Sequence, residues 1–137
     1  MTPQPSVRDF AERYTAAWCS HDASRVAAFY SRNGSLTING GIPAQGRDAI
    51  AQAAQEFMTA FPDLQVLMDN VIARGDRTEY NWTLVGTNTG PGGTGHLVRI
   101  SGLEEWQFDA EGLIARSFGH FDAADYQRQL ERGFQSK

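Results

Sequence analysis

Apolar residues Val7, Phe10, Ala11, Tyr14, Ala17 and Trp18 recur at intervals of three and four, the spacing of one helix face. Ser6 stands where an N-cap belongs, its hydroxyl placed to accept a free N–H of the first turn. The pattern predicts a helix from there to Ser20-His21-Asp22, where Asp22 can cap a second, short helix carrying Val26, Phe29 and Tyr30. Asn33-Gly34 reads as a turn, and residues 35–39 alternate weakly as a short strand does. Gly40, Gly41 and Pro43 open a loop. A third helix follows from Gly46-Arg47-Asp48, with Ile50, Ala53, Ala54, Phe57 and Phe61 on its face, and stops before Pro62, which cannot continue it. The period then changes to two. Residues 64–74, 77–90, 96–108 and 113–122 read as strands, divided by Gly75-Asp76, a Gly-rich loop at 90–95, and Asp109-Ala110-Glu111-Gly112. Residues 123–133 read as a terminal helix and 1–5, with Pro3 and Pro5, as a loose lead-in. Helices first and antiparallel strands afterwards describe one α+β domain over residues 1–137, since no repeat or linker interrupts the pattern.

Composition narrows the partners. The chain is 41% hydrophobic and 20% charged, an ordinary globule able to bury a core without staples. A net charge of −4 and arginines scattered along the chain argue against nucleic acid, which needs a concentrated basic face. No apolar run approaches a membrane span and no secretory signal is present at the N-terminus, so neither a membrane nor export is expected. The single cysteine, Cys19, fits a packed thiol in a reducing, cytoplasmic setting. Three histidines far apart, with no HxxxH or HxH pair, give no metal signal, and no cofactor is expected.

A run of local signatures covers nearly the whole chain: Gly46-Arg47-Asp48-Ala49-Ile50, Phe61-Pro62-Asp63-Leu64, Gly75-Asp76-Arg77, Trp82-Thr83-Leu84 through Gly86-Thr87-Asn88-Thr89-Gly90, and Phe121-Asp122-Ala123-Ala124. This resembles the SnoaL-like branch of the nuclear transport factor 2-like superfamily, which includes polyketide cyclases. The resemblance implies a cone: a strongly bent, mixed but mostly antiparallel sheet on three N-terminal helices, with a pocket between them. It also implies a homodimer through the outer sheet face. Chemistry has to be argued from the site, because this fold hosts unrelated reactions and mere binders.

Alternation puts Phe118, His120 and Asp122 on one face of the last strand, and the bulk of Phe118 marks that face as inner. His120 beside Asp122 can then move protons without a cofactor. Asp122 matches the acid/base aspartate of SnoaL-like cyclases by its place, though an Asp there equally caps the helix that follows. Glu104 shares its face with Trp106 and Phe108; a carboxyl so buried holds its proton more tightly and is a second acid/base candidate, unless it lies in the exposed beginning of the strand or pairs with Arg99 or Arg116. His96 opens its strand beside the loop at 90–95, a mobile lip over the cavity, and either completes the pocket or is solvated. His21 reads as surface.

Comparison with ketosteroid isomerases, which the first two helices resemble, sets their oxyanion tyrosine on Tyr14 and their acidic donor near Glu104. Their general base falls on Ile38, so a standard isomerase of this type is excluded. A core tyrosine in a helical stripe is the commoner fate of such a residue, but a phenol facing an apolar cavity needs a hydrogen-bond partner, and a ligand oxygen would serve. Trp18, Phe29, Phe57, Trp82, Trp106 and Phe118 supply an aromatic lining suited to a flat hydrophobic small molecule, and equally what any small core of this fold contains; Asn88, on the Trp82 face, can donate to a ligand carbonyl. Three functions follow: acid–base cyclisation, isomerisation or dehydration by Asp122, His120 and Tyr14; binding without turnover; or assembly through the outer face bearing Glu79, Asn81, Thr83 and Val85.

Overall fold

Ser6 accepts a hydrogen bond from the Asp9 N–H at 3.0 Å and starts helix α1, Val7–Cys19, whose buried face is Ala11, Tyr14, Ala17 and Trp18. The structure, a computed structural model, describes residues 6–134; the lead-in expected over 1–5 lies outside them. Asp22 accepts from the Ser24 N–H and starts α2, Ala23–Ala27. Helix α3, Arg47–Ala60, enters from Gly46 at a φ of +88° without a side-chain cap and buries Ile50, Ala54 and Met58. Helix α4, Ala123–Arg132, is capped by Asp122, which accepts from the Asp125 N–H at 3.0 Å. Among the described residues, no helix is long and apolar enough to cross a membrane.

Six strands form one sheet in the order β2-β1-β6-β5-β4-β3. They are β1, Tyr30–Ile38; β2, Ala44–Gln45; β3, Gln65–Arg74; β4, Arg77–Thr87; β5, Leu97–Phe108; and β6, Ile114–Phe121. Only β1 and β6 run parallel. The expected α+β architecture is therefore present, with one change near its start. Tyr30 belongs to β1 rather than α2, and Asn33-Gly34 is no turn but part of an irregularity where β1 slips register against β6 between Tyr30 and Ser35. Gly34 is needed there because a Cβ would lie 2.9 Å from the Ile114 carbonyl oxygen. Further irregularities between Met68 and Asn70 and between Gln107 and Phe108 bend the sheet.

Side chains from α1, α2, α3 and the inner sheet face share one core, including Tyr14, Val26, Ile50, Tyr80, Leu84, Ile100 and Trp106. The loop at 90–95 stands away from the cavity, contrary to its reading as a lip. Asn88 donates to the Ala60 carbonyl and accepts from the Thr94 N–H, and the Gly90 N–H also reaches Ala60, so the loop is bound to the end of α3.

At Gly102 on β5 an added Cβ would lie 2.6 Å from Trp82 Cζ2 and against the His120 carbonyl. Gly102→Ala should therefore destabilise the fold by about 1–3 kcal/mol through overpacking. Urea denaturation of the variant checks this, and unchanged stability would show that Trp82 does not rest on this strand.

Candidate functional site

The pairing of β5 with β6 decides which side chains meet inside. On the inner face Trp106 stands opposite Ser117 and Glu104 opposite Gly119; on the outer face Glu105 stands opposite Phe118 and Leu103 opposite His120. Large residues on β5 thus face small ones on β6. This reverses the face expected for the last strand: Phe118, His120 and Asp122 do not line the cavity. Phe118 lies under the Arg77 guanidinium, 5.7 Å from its ring centre, and His120 Nε2 is 3.6 Å from Glu105 on the exposed side. Asp122 is an exposed helix cap.

Glu104 is the residue that points in. Its exposure is 8%, and its Oε1 accepts three hydrogen bonds: from Tyr14 OH at 3.0 Å, Trp106 Nε1 at 2.9 Å and Ser117 Oγ at 2.9 Å. Neither Arg99 nor Arg116 pairs with it. No hydrogen bond to Oε2 forms among the described residues, and the side chain lines the cavity. Tyr14 OH is shared in turn with Tyr30 OH at 2.9 Å. Burial raises the Glu104 pKa, and the Trp106, Ser117 and Tyr14 donors, with the neighbouring Tyr30 hydroxyl, only partly offset that rise. Burial, with the Glu104 carboxyl next in weight, also pushes the Tyr14 and Tyr30 phenols up, so both remain hydrogen-bond donors.

The cavity beside Glu104 measures about 60 Å³. Its buried floor includes Trp18, Leu36, Val66, Tyr80, Leu84 and Ile100, and its half-buried rim Ile38, Phe57, Trp82, Phe121 and Tyr126. Of the expected lining, Trp18, Phe57 and Trp82 are in place. Phe29 is not: it packs edge-on against Phe10 and Tyr14, outside the cavity. Trp106 is fully buried behind Glu104. Asn88 is spent on the loop at 90–95, and His96 lies next to Gly133. Tyr14, expected to face a ligand, is sealed and donates to Glu104 instead. Ile38 does line the cavity, an apolar group where an isomerase of the usual design would need its base.

Residues 8–130 match the SnoaL-like polyketide cyclase family. The chain belongs to that family. No curated protein matches the sequence. Among solved structures, the SnoaL-like chain is similar to a protein of ketosteroid isomerase-like fold from Catenulispora acidiphila, in complex with trimethylamine: 12% identity, TM-score 0.80, 92% of this chain and 95% of the other. It is similar to TsrD from Streptomyces laurentii at 19% identity and TM-score 0.79, covering 95% and 98%. It is also similar to SalBIII, an epoxide hydrolase/cyclase-like enzyme with a role in pyran ring formation in salinomycin, at 16% identity and TM-score 0.73, covering 86% and 92%. Likeness at these identities establishes the cone fold and no more.

Among the residues of this SnoaL-like site that the sequence did not single out are Ser117, Gly119, Tyr126 and Gln129. Ser117 and Gly119 were legible only as the small partners that Trp106 and Glu104 require across the strand pair. Tyr126 closes the rim from α4, and Gln129 holds that helix to β5 by bonding both the N–H and the carbonyl of Arg99.

Because the folded state binds the Glu104 proton more tightly than the unfolded chain, this group contributes stability below the ordinary glutamate pKa and loses it as pH rises through the raised value. Glu104→Gln keeps an acceptor for the three donors but removes the titration. The variant should therefore gain stability relative to the parent as pH rises from about 4.3 toward neutrality. Denaturant unfolding across that range reads it; a constant difference would contradict the raised pKa.

Proposed function

We propose that the chain is a cofactor-free, cyclase-type proton-transfer enzyme acting on a hydrophobic carbonyl compound, with Glu104 as its acid–base group. The observation that carries this is the asymmetry of one carboxyl: Oε1 is held by three donors while Oε2 is left unbonded at an apolar cavity. A carboxylate with a raised pKa is a stronger base than an ordinary glutamate. Ionised Glu104 takes a proton from the carbon next to a carbonyl onto Oε2, and the C–H electron pair moves to the carbonyl oxygen. In a β,γ-unsaturated ketone the proton is then delivered to the γ-carbon of the dienolate, which moves the double bond into conjugation and gives isomerisation. Alternatively it goes to the oxygen formed when the enolate α-carbon attacks a second carbonyl, which closes a ring. Tyr14, Trp106 and Ser117 keep the carboxyl oriented throughout, and Tyr30 supports Tyr14. Asp122 and His120 have no part in this reading, since neither reaches the cavity. Membership of the cyclase family and likeness to the cyclase-like SalBIII support it.

A second reading, binding without turnover, is favoured by the cavity's size: about 60 Å³ lies well below the roughly 300–1,000 Å³ of pockets for drug-sized ligands. A small ligand fits this volume better than a polycyclic one, which must part the half-buried rim of Phe121 and Tyr126. The Catenulispora protein, solved with trimethylamine, is a neighbour of this fold holding a small molecule.

Exchange of the α-protons of 1-indanone for solvent deuterium, followed by proton NMR, separates the two. The enzyme reading expects exchange faster than in buffer, falling by about 10²-fold or more in Glu104→Gln. It also expects the rate to rise with pH through an inflection above the usual glutamate range. Exchange at the buffer rate, or equal rates in parent and variant, would sink it in favour of binding alone.

A further inference from the structure

One of the residues lining the cavity carries a buried polar atom with no partner. Trp82 Nε1 is sealed from solvent and makes no hydrogen bond, the only buried side-chain nitrogen or oxygen among the described residues of which this is true. An indole nitrogen can only donate, and leaving such a donor buried and unbonded is costly. The contrast with Trp106 is direct: on the same inner face, its N–H is satisfied by Glu104 at 2.9 Å. Trp82 is also fixed in place. It pairs across the strands with Gly102, and its ring rests where a Cβ of that residue would be. Glu104 lies two residues further along β5, diagonal to Trp82, a separation that aromatic and long side chains bridge.

We infer that Trp82 supplies the hydrogen bond that holds a ligand carbonyl in this cavity, and that the ligand is an uncharged, largely apolar ring bearing that oxygen. The inference rests on the reading of Glu104 as the group at which the same ligand reacts. With the α-carbon at Glu104 Oε2, the carbonyl oxygen two bonds away takes the indole N–H in a hydrogen bond that strengthens as the oxygen gains charge. The lining itself argues for neutrality. It contains no lysine, arginine or histidine to balance an anion, and its polar side-chain groups are the Glu104 carboxyl, the Tyr80 and Tyr126 phenols and the indoles of Trp18 and Trp82. Phe121 of the half-buried rim packs against the Trp82 ring, with ring centres 6.1 Å apart at 67°. Since the N–H is sealed at rest, a carbonyl oxygen reaches it only as that rim parts.

The test follows the indole N–H signals of the ¹⁵N-labelled protein during titration with 1-indanone, with its deoxygenated counterpart indane, and with trimethylammonium chloride. The Trp82 signal is assigned from its absence in Trp82→Phe, or from the contact of its ring with Gly102 should that variant fail to fold. 1-Indanone should move this signal downfield while indane does not. Trp82→Phe should weaken 1-indanone binding by about fivefold to tenfold, the worth of one neutral hydrogen bond, and leave indane within about twofold. Glu104→Gln should keep the Trp82 response, which makes the result independent of proton transfer: a response without deuterium exchange removes the Glu104 reading and keeps this one. The inference is overturned if 1-indanone leaves the Trp82 signal unmoved, if Trp82→Phe weakens both ring compounds equally, or if trimethylammonium binds more tightly than the ketone.

Discussion

Glu104 Oε1 is the point on which the interior is organised. Burying an ionised carboxyl costs several kcal/mol even after relaxation, and hydrogen bonds to a charged acceptor return about 1.5–3 kcal/mol each. Three donors onto one oxygen therefore come close to balancing the burial, and the remaining imbalance is what raises the pKa. The donors come from different elements: Tyr14 from α1, Trp106 from β5 itself and Ser117 from β6, with Tyr30 of β1 joined through Tyr14. One oxygen thus ties the helical layer to the sheet, and the other is left for chemistry.

The packing around it follows from that arrangement. Trp106 stacks on Tyr80 with ring centres 4.7 Å apart, and Tyr14 meets both edge-on at 5.1 and 5.5 Å. Such contacts add about 0.5–1.5 kcal/mol each beyond area burial and fix the donors' direction. Room for the carboxyl comes from the opposite strand, where Gly119 faces Glu104 and an added Cβ would stand 3.7 Å from Glu104 Cγ. On the rim, α4 is held by Gln129 on β5 and by the Asp122 cap, which sets Tyr126 over the cavity. Asp122 thereby serves the site as a structural support.

Much of this was legible because the signals were local. Ser6, Asp22 and Asp122 are caps whose effect lies within three residues, and each starts a helix where the pattern placed it. Trp106 and Phe108 alternate with polar neighbours strongly enough to put Glu104 inside. The last strand was misread for a physical reason. Alternation tells which residues share a face, never which face is inner, and bulk at Phe118 weighed more than the smallness of Ser117 and Gly119. Only the register against Trp106 and Glu104 settles that choice, and register is a property of two strands. Tyr14 was correctly seen as a phenol needing a partner; its partner is a carboxylate ninety positions away, a contact that one sequence does not display.

The account stands on the ionisation of one side chain, and that is directly measurable. In protein carrying ¹³C-labelled glutamate, the Glu104 carboxyl carbon, assigned by its loss in Glu104→Gln, can be followed by NMR as pH is varied. A midpoint clearly above the ordinary value of about 4.3 is the predicted result. A midpoint at or below that value would mean that the donors on Oε1 outweigh burial. Glu104 would then be a fixed structural anion, and the proposed base would be lost.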